Sequence, residues 1–488
     1  MSPEPLTWPR IAAFWLPLAG TWLMMAAEGP YLAAIIARLD QPTENLAAFG
    51  VAFALAIIIE APVIMLMAAS TALVTDAASY AALRRFTYTL AAALTLVQVV
   101  AVLPSVFDWL ALSLIGLPPD VARLAHHGLA IMLPWPIAIG YRRFRQGLLI
   151  RRRLTRLVTY GTALRLAAMS AAALAAARVP GLQGVHVGTI ALATGVVVEA
   201  VASRVMTRGV VAELLAGPSP PAAADSGAAV PAAADTATAD SAAAAAADAS
   251  AAGSGPPSLT ATDSSAAISR AAGAGPASPT AADSSAATSR AAGADHAGPA
   301  DAHRAATDVR ASRPVDALTM PAIFRFYLPL AMTSLLAMAV QPAVTFFVGQ
   351  SRFALESLAV LPVIHGLTFL FRALGLSYQE VGIALFGDRW EQYRPIRNFG
   401  WMLAASAAGG LGVIVFTPLA VVWFEGVSGL PPELAAFALL PAQILALLPA
   451  GSVWICFQRA VLVHARQTAP ITWAGILEVA VVVVLLTV

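Results

Sequence analysis

The sequence has little of the charge that a water-soluble domain carries on its surface. Only 11% of the 488 residues are charged, against roughly 25% in an average soluble protein, whereas 59% are hydrophobic. Lysine is absent, so all 29 basic side chains are arginine. This composition excludes a soluble globular chain and predicts an integral membrane protein.

Cysteine is just as scarce. The single cysteine, Cys456, lies in an apolar run, which excludes an internal disulfide and a cysteine-based metal site. The net charge is only +2, and no basic face lies outside the apolar runs, so we expect no nucleic-acid partner. The sequence also lacks an HExxH, GxSxG, Walker or paired DxxxD motif within an apolar run. We therefore predict that the chain is not an enzyme and has neither a cofactor nor a metal site.

Long apolar runs are the dominant feature of the sequence. A hydrocarbon core of about 30 Å is crossed by around 20 helical residues, and the runs lack the two-residue alternation of a membrane barrel. We predict an all-α membrane protein with six spans followed by five. The predicted spans are 11–38, 44–73, 86–114, 121–147, 155–178, 185–214, 320–349, 356–386, 398–425, 433–463 and 470–488.

The two sets of spans match each other. FWLPLAGTWLMMAAEGP at 14–30 aligns with FYLPLAMTSLLAMAVQP at 326–342, an offset of 312 residues. Further along, LPPDVA at 117–122 aligns with LPPELA at 430–435, an offset of 313 residues. A match over this length indicates gene duplication, and membrane transporters are commonly built from such repeats.

This repeat defines three predicted domains. Residues 1–216 form an N-terminal lobe of six helices, and residues 316–488 form a C-terminal lobe of five, in which a helix 12 is missing. The connection at 217–315 is rich in Ala, Ser, Pro, Gly and Asp and has no aromatic residue. Such a segment buries too little apolar surface to offset its ordering entropy. We therefore predict a disordered linker.

Arginines in short loops predict the orientation, because they favour the cytoplasmic side. Arg10, Arg84 and Arg85 then lie on the same side as an arginine-rich loop after the fourth span. Both lobes begin inside, so their topologies are parallel, about a pseudo-two-fold axis along the membrane normal. We predict a bacterial inner-membrane protein with a cytoplasmic N-terminus and linker. The arginines assigned to that loop are Arg142, Arg143, Arg145, Arg151, Arg152, Arg153 and Arg156.

Several phrases resemble one transporter superfamily. LAAFGVAFAL followed by AASTALV looks like the multidrug/oligosaccharidyl-lipid/polysaccharide exporter superfamily. Within it, ALVTDAASYAALRRF resembles the multidrug and toxin extrusion (MATE) proteins. FWLPLAGTWL and YRRFRQGLLIRRRLTRLVTYG are similar to progressive ankylosis proteins, which are implicated in exporting small anions. The resemblance implies two lobes that rock around a central cavity.

Charged side chains within apolar runs are candidate site residues, because a charge at membrane depth costs about 2.5 to 3.5 kcal/mol on insertion scales. Glu28 precedes Gly29 and Pro30, and a proline frees the carbonyl one turn earlier. Glu28 is either a carboxylate for ion coupling or substrate binding, or a plain interfacial carboxylate at the outer end of its span.

Two further pairs of charged residues occupy equivalent positions in the repeats with opposite signs. Glu60 corresponds to Arg372 at the offset of 312, and Arg165 corresponds to Glu478 at the offset of 313. Each pair either meets across the interface between the lobes, or each residue pairs within its own lobe. Glu199 has no counterpart, and we expect it to pair with Arg204 or Arg208.

His365 is either a proton carrier or a packing residue. The function that these features favour is an ion-coupled secondary transporter that exports a small molecule or organic ion by alternating access of the two lobes. Its partners would be that substrate, a proton or sodium ion and the lipid bilayer, and we expect a monomer. The alternatives are a lipid-linked saccharide flippase, a non-transporting homologue and a membrane enzyme.

Overall fold

The structure is a computed structural model, and its described part is almost entirely helical. The predicted linker at 217–315 lies outside the described residues. The residues described are 6–152, 154–216, 319–386, 390–465 and 469–487.

The first half of the chain forms eleven described α-helices, with 3₁₀ or π segments between some of them. They are α1 (Trp8–Ala26), α2 (Glu28–Ile36), α3 (Pro42–Glu60), α4 (Leu66–Leu73), α5 (Ala77–Val102), α6 (Pro104–Asp108), α7 (Pro119–Ile131), α8 (Trp135–Arg151), α9 (Thr155–Ala176), α10 (Gly184–Met206) and α11 (Arg208–Ala216).

The described residues of the second half form longer, less interrupted helices. They are α12 (Met320–Gly349), α13 (Ala354–Leu385), α14 (Tyr393–Phe416), α15 (Leu419–Val421), α16 (Pro432–Ile444), α17 (Leu448–His464) and α18 (Ala469–Thr487).

Nine helical segments among the described residues are long and apolar enough to cross a membrane by length and composition. Together with the fold, they make the chain a multi-pass membrane protein. Two of the eleven predicted spans are helical but fall outside this set. The fourth is divided into α7 and α8, and α8 carries several arginines, whereas the apolar part of α18 covers only Trp473–Leu486.

The sequence repeat is also present in the backbone. The first residues of α1 and α12 are 312 positions apart, and both ends of α7 and α16 are 313 apart. A π-helical segment precedes each of these later helices, at Trp109–Ile115 and Val422–Val427. Each segment is followed by a glycine with positive φ, Gly116 or Gly429, and these two glycines are also equivalent.

The first membrane span of each half packs against the second span of the other half. Ile11 of α1 is fully buried in a cluster with Tyr378 of α13, and Trp15 Nε1 lies 3.4 Å from the Leu374 carbonyl oxygen. At the equivalent positions, the Tyr327 hydroxyl of α12 donates to the Pro62 carbonyl oxygen. The two halves therefore share an interlocked core, and the predicted lobe boundaries stay a prediction.

The prediction that the arginines after the fourth span lie in a loop is wrong for three of them. Arg142, Arg143 and Arg145 lie inside α8 and are buried, because the helix continues to Arg151 and packs against α4, α5 and α10. These three charges therefore drop out of the orientation argument. Arg151 is exposed and donates to the Thr71 carbonyl oxygen, and the predicted orientation rests on it and on the remaining exposed arginines.

Candidate functional site

A cavity lies where helices of the two halves meet. Its volume, counted as the space that the centre of a water molecule can occupy, is about 120 Å³. One water needs roughly 10–15 Å³ on that measure, so the cavity has room for several waters. Its lining residues are Met25, Ala26, Glu28, Gly29, Pro30, Leu32, Phe49, Gly50, Phe53, Ile57, Glu60, Trp135, Ile139, Arg142, Arg165, Leu192, Gln341, Leu361, Pro362, His365, Gly366 and Phe369.

The cavity lies on the axis that relates the two halves. Gly50 of α3 and Pro362 of α13 are equivalent residues, and a Cβ added at Gly50 would lie only 3.0 Å from Pro362 Cγ. A residue that touches its own counterpart lies next to the pseudo-two-fold axis. Phe53 and His365 are also equivalent, and both line the cavity. The two halves thus contribute equivalent, mostly apolar positions to the walls.

The carboxylates and arginines of the lining come from the first half. Glu28, Glu60, Arg142 and Arg165 line the cavity, whereas Arg372 and Glu478, the counterparts of Glu60 and Arg165, are absent from the lining. The duplicated architecture therefore holds an asymmetric charge distribution. In the second half, His365 is the lining residue with a titratable side chain.

A break in the first membrane span presents Glu28 to this cavity. α1 ends at Ala26 and α2 begins at Glu28, with Ala27 between them in an α-helical conformation. Pro30 follows in the first turn of α2 and has no amide hydrogen for the Ala26 carbonyl, its normal partner in a continuous helix. In α12 the equivalent Pro342 lies within one unbroken helix.

Glu28 is the outermost member of a chain of buried charges. Arg165 Nη2 of α9 donates to Glu28 Oε1, and Arg165 Nε lies 3.4 Å from Glu199 Oε2 of α10. The same Glu199 oxygen accepts a hydrogen bond of 2.5 Å from Arg142 Nη1 of α8, and Gln146 Nε2 donates to Glu199 Oε1 at 3.0 Å. Glu28, Arg165, Glu199 and Arg142 thus form a continuous network in which negative and positive groups alternate.

Burial increases along this network from Glu28 to Glu199. The side chains of Arg142 and Glu199 are 2% and 1% exposed, whereas those of Arg165 and Glu28 are 9% and 13% exposed. A buried ion pair is strongly destabilised when one partner is removed, because the other charge stays desolvated. The pair of Arg142 and Glu199 therefore acts as a fixed anchor. Arg142 also borders the cavity, but Glu28 and Arg165 are the more exposed pair that a ligand there reaches.

The structure brings four of the six predicted site residues to one place. Glu28, Glu60, Arg165 and His365 all line the cavity. His365 stacks on Phe369 with ring centroids 6.1 Å apart, and its Nε2 atom is buried without a hydrogen-bond partner among the described residues. None of these observations tests the functional role of the four residues, which stays a prediction.

The other two predicted site residues lie together in the second half. Arg372 Nε of α13 donates to Ser452 Oγ of α17 at 2.9 Å, and Glu478 of α18 is close enough to act on Arg372 electrostatically. The predicted pairing of Arg165 with Glu478 across the lobes is therefore wrong, because Arg165 faces Glu28 and Glu199.

The other proposed pairing across the lobes, Glu60 with Arg372, stays a prediction. Arg372 Nε donates to Ser452 Oγ, and Glu60 lines the cavity. The alternative of pairing within one lobe holds for Arg165.

Sequence reasoning missed the inner anchor of the network. Arg142 was assigned to a loop, and Glu199 was expected to pair with Arg204 or Arg208; instead Glu199 pairs with Arg142 and Arg165. A signal was present, since Trp135–Arg151 contains no proline beyond its first turn. Arginines within an uninterrupted helix opposite a lone Glu in another span predict a buried pair.

Comparison with known proteins gives a match in fold and none in sequence. No protein-family model and no curated protein matches the chain. The fold is similar to an inward-facing conformation of a multidrug resistance MATE family transporter of the MOP superfamily, with a TM-score of 0.61 and 12% identity over 96% of this chain and 88% of that one.

A crystal structure of MATE in complex with MaD3S also matches, with a TM-score of 0.48 and 13% identity over 97% of this chain and 96% of that one. That likeness is too loose to support a conclusion. The likeness to the inward-facing transporter agrees with the resemblance seen in the sequence. This chain has the fold of the MATE family transporters of the MOP superfamily.

Proposed function

We propose that this protein is an ion-coupled secondary transporter that exports a small molecule or organic ion by alternating access of its two halves. The observation that carries the proposal is the placement of Arg165 between two carboxylates, Glu28 at the cavity and Glu199 behind it. A network of this kind inside a membrane protein is costly and marks an ion or substrate pathway by default.

The arrangement allows the ion pair between Glu28 and Arg165 to break. A proton or sodium ion that binds Glu28 removes the carboxylate from Arg165, which still has the Glu199 oxygen 3.4 Å from its Nε atom. Arg165 then shares the Glu199 carboxylate with Arg142, so the exchange costs only part of the desolvation penalty of an unpaired buried ion. Glu28 can thus alternate between an arginine-bound and an ion-bound state.

Coupling follows when these two states favour different conformations. An ion shifts a conformational equilibrium only by its difference in affinity for the two states. Glu28 lies at the break between α1 and α2, and α1 packs on the second half while α2 contacts α10 of the first half. A change at Glu28 is therefore transmitted to both halves. By chemistry and position, the coupling ion is a proton or sodium.

The proposal places the protein in a bacterial inner membrane with a cytoplasmic N-terminus and as a monomer. The fold neighbour described as a multidrug resistance transporter supports a small-molecule substrate. The mostly apolar cavity walls, which include Phe49, Phe53 and Phe369, suit a substrate with an apolar body.

The test is transport by the purified full-length chain in reconstituted vesicles. Organic cations, small polyanions and lipid-linked sugars would be screened under imposed proton and sodium gradients. We expect one class to move only when one of the two gradients is imposed. Movement of lipid-linked sugars would favour the flippase alternative, and failure of every class under both gradients would contradict the proposal.

A further inference from the structure

One end of the molecule is closed by two equivalent contacts between the halves. We call it the outer end, defined by the C-terminal ends of α2 and α12 and by the two π-helical segments, Trp109–Ile115 and Val422–Val427. At this end each half reaches the other through a side chain just beyond its first span. These side chains are Arg38 after α2 and Gln350 after α12.

The first contact joins Arg38 to the second half. Its Nη2 atom donates to the carbonyl oxygens of Gly426 at 2.5 Å and Val427 at 2.8 Å, while Nη1 donates to the Ala34 carbonyl oxygen of its own helix at 2.6 Å. The last carbonyls of a helix lack partners within the helix, and an arginine is a favourable donor to them. Arg38 thus caps a π-helical segment that belongs to the other half.

The second contact is the counterpart of the first. Gln350, which lies 312 positions after Arg38, donates from Nε2 to the Leu114 carbonyl oxygen at 2.9 Å. Leu114 lies 313 positions before Val427, so donor and acceptor are both equivalent to those of the first contact. The two contacts are therefore related by the same pseudo-two-fold axis as the equivalent residues that line the cavity.

Glycines make both close approaches possible. A Cβ at Gly429, where φ is +72°, would lie 2.8 Å from Arg38 Nη1, and a Cβ at Gly349 would lie 2.7 Å from the Ile115 carbonyl oxygen. At both points a side chain in place of the glycine would require its neighbour in the other half to shift. The backbone is therefore shaped for this closure on both sides of the axis.

We propose that the Arg38 and Gln350 contacts form the outer gate of the cavity, both made while the outer end is closed and both broken when it opens. Both donors are exposed side chains bound to single turns of backbone, so their release costs little. The inner contacts of Trp15 and Tyr327 instead lie in the buried interface between the halves. The inference rests on the proposed function, because a gate requires alternating access.

The gate is tested by distances rather than by transport. In the full chain, spin labels at Asp120→Cys and Glu433→Cys report the outer end, and labels at Arg85→Cys and Asn398→Cys report the opposite end. These are two equivalent, exposed pairs. Cys456 is buried, so labelling goes to the introduced cysteines. The variants are Arg38→Ala, Gln350→Ala and their combination.

We expect each single variant to raise the population with a long outer distance by roughly three- to tenfold, the usual effect of one hydrogen bond on an equilibrium. The combined variant should give the larger shift, with the opposite end closing. The control Arg352→Ala removes an outer-end arginine whose guanidinium lies over the ring of Phe353 in its own half, 5.3 Å from the ring centroid, and should leave both distances unchanged.

Arg38→Gln keeps a donor of the kind that Gln350 provides and should stay close to the wild type. An unchanged outer distance in the combined variant, or opening by Arg38→Gln equal to that by Arg38→Ala, would overturn the gate. If the combined variant does not fold, the two single variants decide by the same criterion. Because the distances need no substrate, a failed transport assay beside an opened outer end counts against the proposed function and not against the gate.

Discussion

At the residue scale, the account depends on the difference between the two carboxylates of Arg165. Glu199 is 1% exposed and also accepts from Arg142, so it belongs to the fixed interior. Glu28 is 13% exposed and faces the cavity. Of the two carboxylates that face Arg165, Glu199 is therefore structural and Glu28 is exchangeable.

We expect Glu199→Gln to lower the free energy of unfolding by about 3 kcal/mol, because Arg142 stays buried without this charge. Loss of the folded fraction against temperature in detergent measures it. The matched control is Glu213→Gln, which removes an exposed carboxylate 3.6 Å from Arg152 and should change stability by less than about 1 kcal/mol. Equal effects of the two changes would show that the network is not an anchor.

At the element scale, the exchange of first helices determines how the halves hold together. α1 packs on α13, and α12 packs on α3 and on the 3₁₀ turn Ala61–Val63 that follows it. Ser334 of α12 is fully buried and donates to the Ala61 carbonyl oxygen at 2.9 Å. Each half is therefore joined to the other by the packing of its first helix as well as by the covalent connection.

This exchange predicts that the connection at 217–315 is not needed to hold the halves together. A protease site inserted at Gly253 and cut after purification should leave both fragments in one complex in mild detergent. The pair Trp15→Ala and Tyr327→Ala, which removes the equivalent contacts of the two exchanged helices, should release the fragments more readily. Fragments that separate at once in the otherwise unchanged chain would contradict the interlocked core.

At the scale of the whole molecule, the sequence predicts the membrane class, the helix positions and the repeat well. Each depends on local or periodic signals, such as apolar length or the recurrence of LPPDVA at 117 as LPPELA at 430. The fold likeness to a MATE transporter agrees with the predicted resemblance. Glu28 and His365, both candidate site residues in the sequence, line the cavity, and their roles stay a prediction.

The remaining features depend on three-dimensional packing and were not predictable in the same way. The partner of Arg165 depends on which face of α9 meets α10, and sequence equivalence to Glu478 does not contain that information. The exchange of α1 and α12 depends on how the halves meet. The sequence predicts a loop position for Arg142 because arginine is common in cytoplasmic loops. In the structure the Glu199 carboxylate compensates the charge of Arg142 inside the bundle.

The orientation in the membrane is a further prediction at this scale. Reporter fusions at Ser2 and Gly253 should lie in the cytoplasm, and one in the 38–45 loop should lie outside. The physical reason is the preference of exposed loop arginines for the cytoplasmic side, which survives the removal of the three buried arginines of α8. An external reporter at Gly253 would contradict the parallel arrangement of the repeats.

The measurement that tests the central claim most directly is made on Glu28→Gln in reconstituted vesicles, with the substrate class found by the screen. Two rates are compared with those of the wild type: accumulation driven by the ion gradient, and exchange of labelled for unlabelled substrate without a gradient. Glutamine keeps the size of the side chain but neither carries charge nor binds a proton or sodium ion as a carboxylate does. The account predicts that gradient-driven accumulation falls at least tenfold while exchange persists. Gradient-driven accumulation at the wild-type rate would contradict the assignment of Glu28 as the coupling residue.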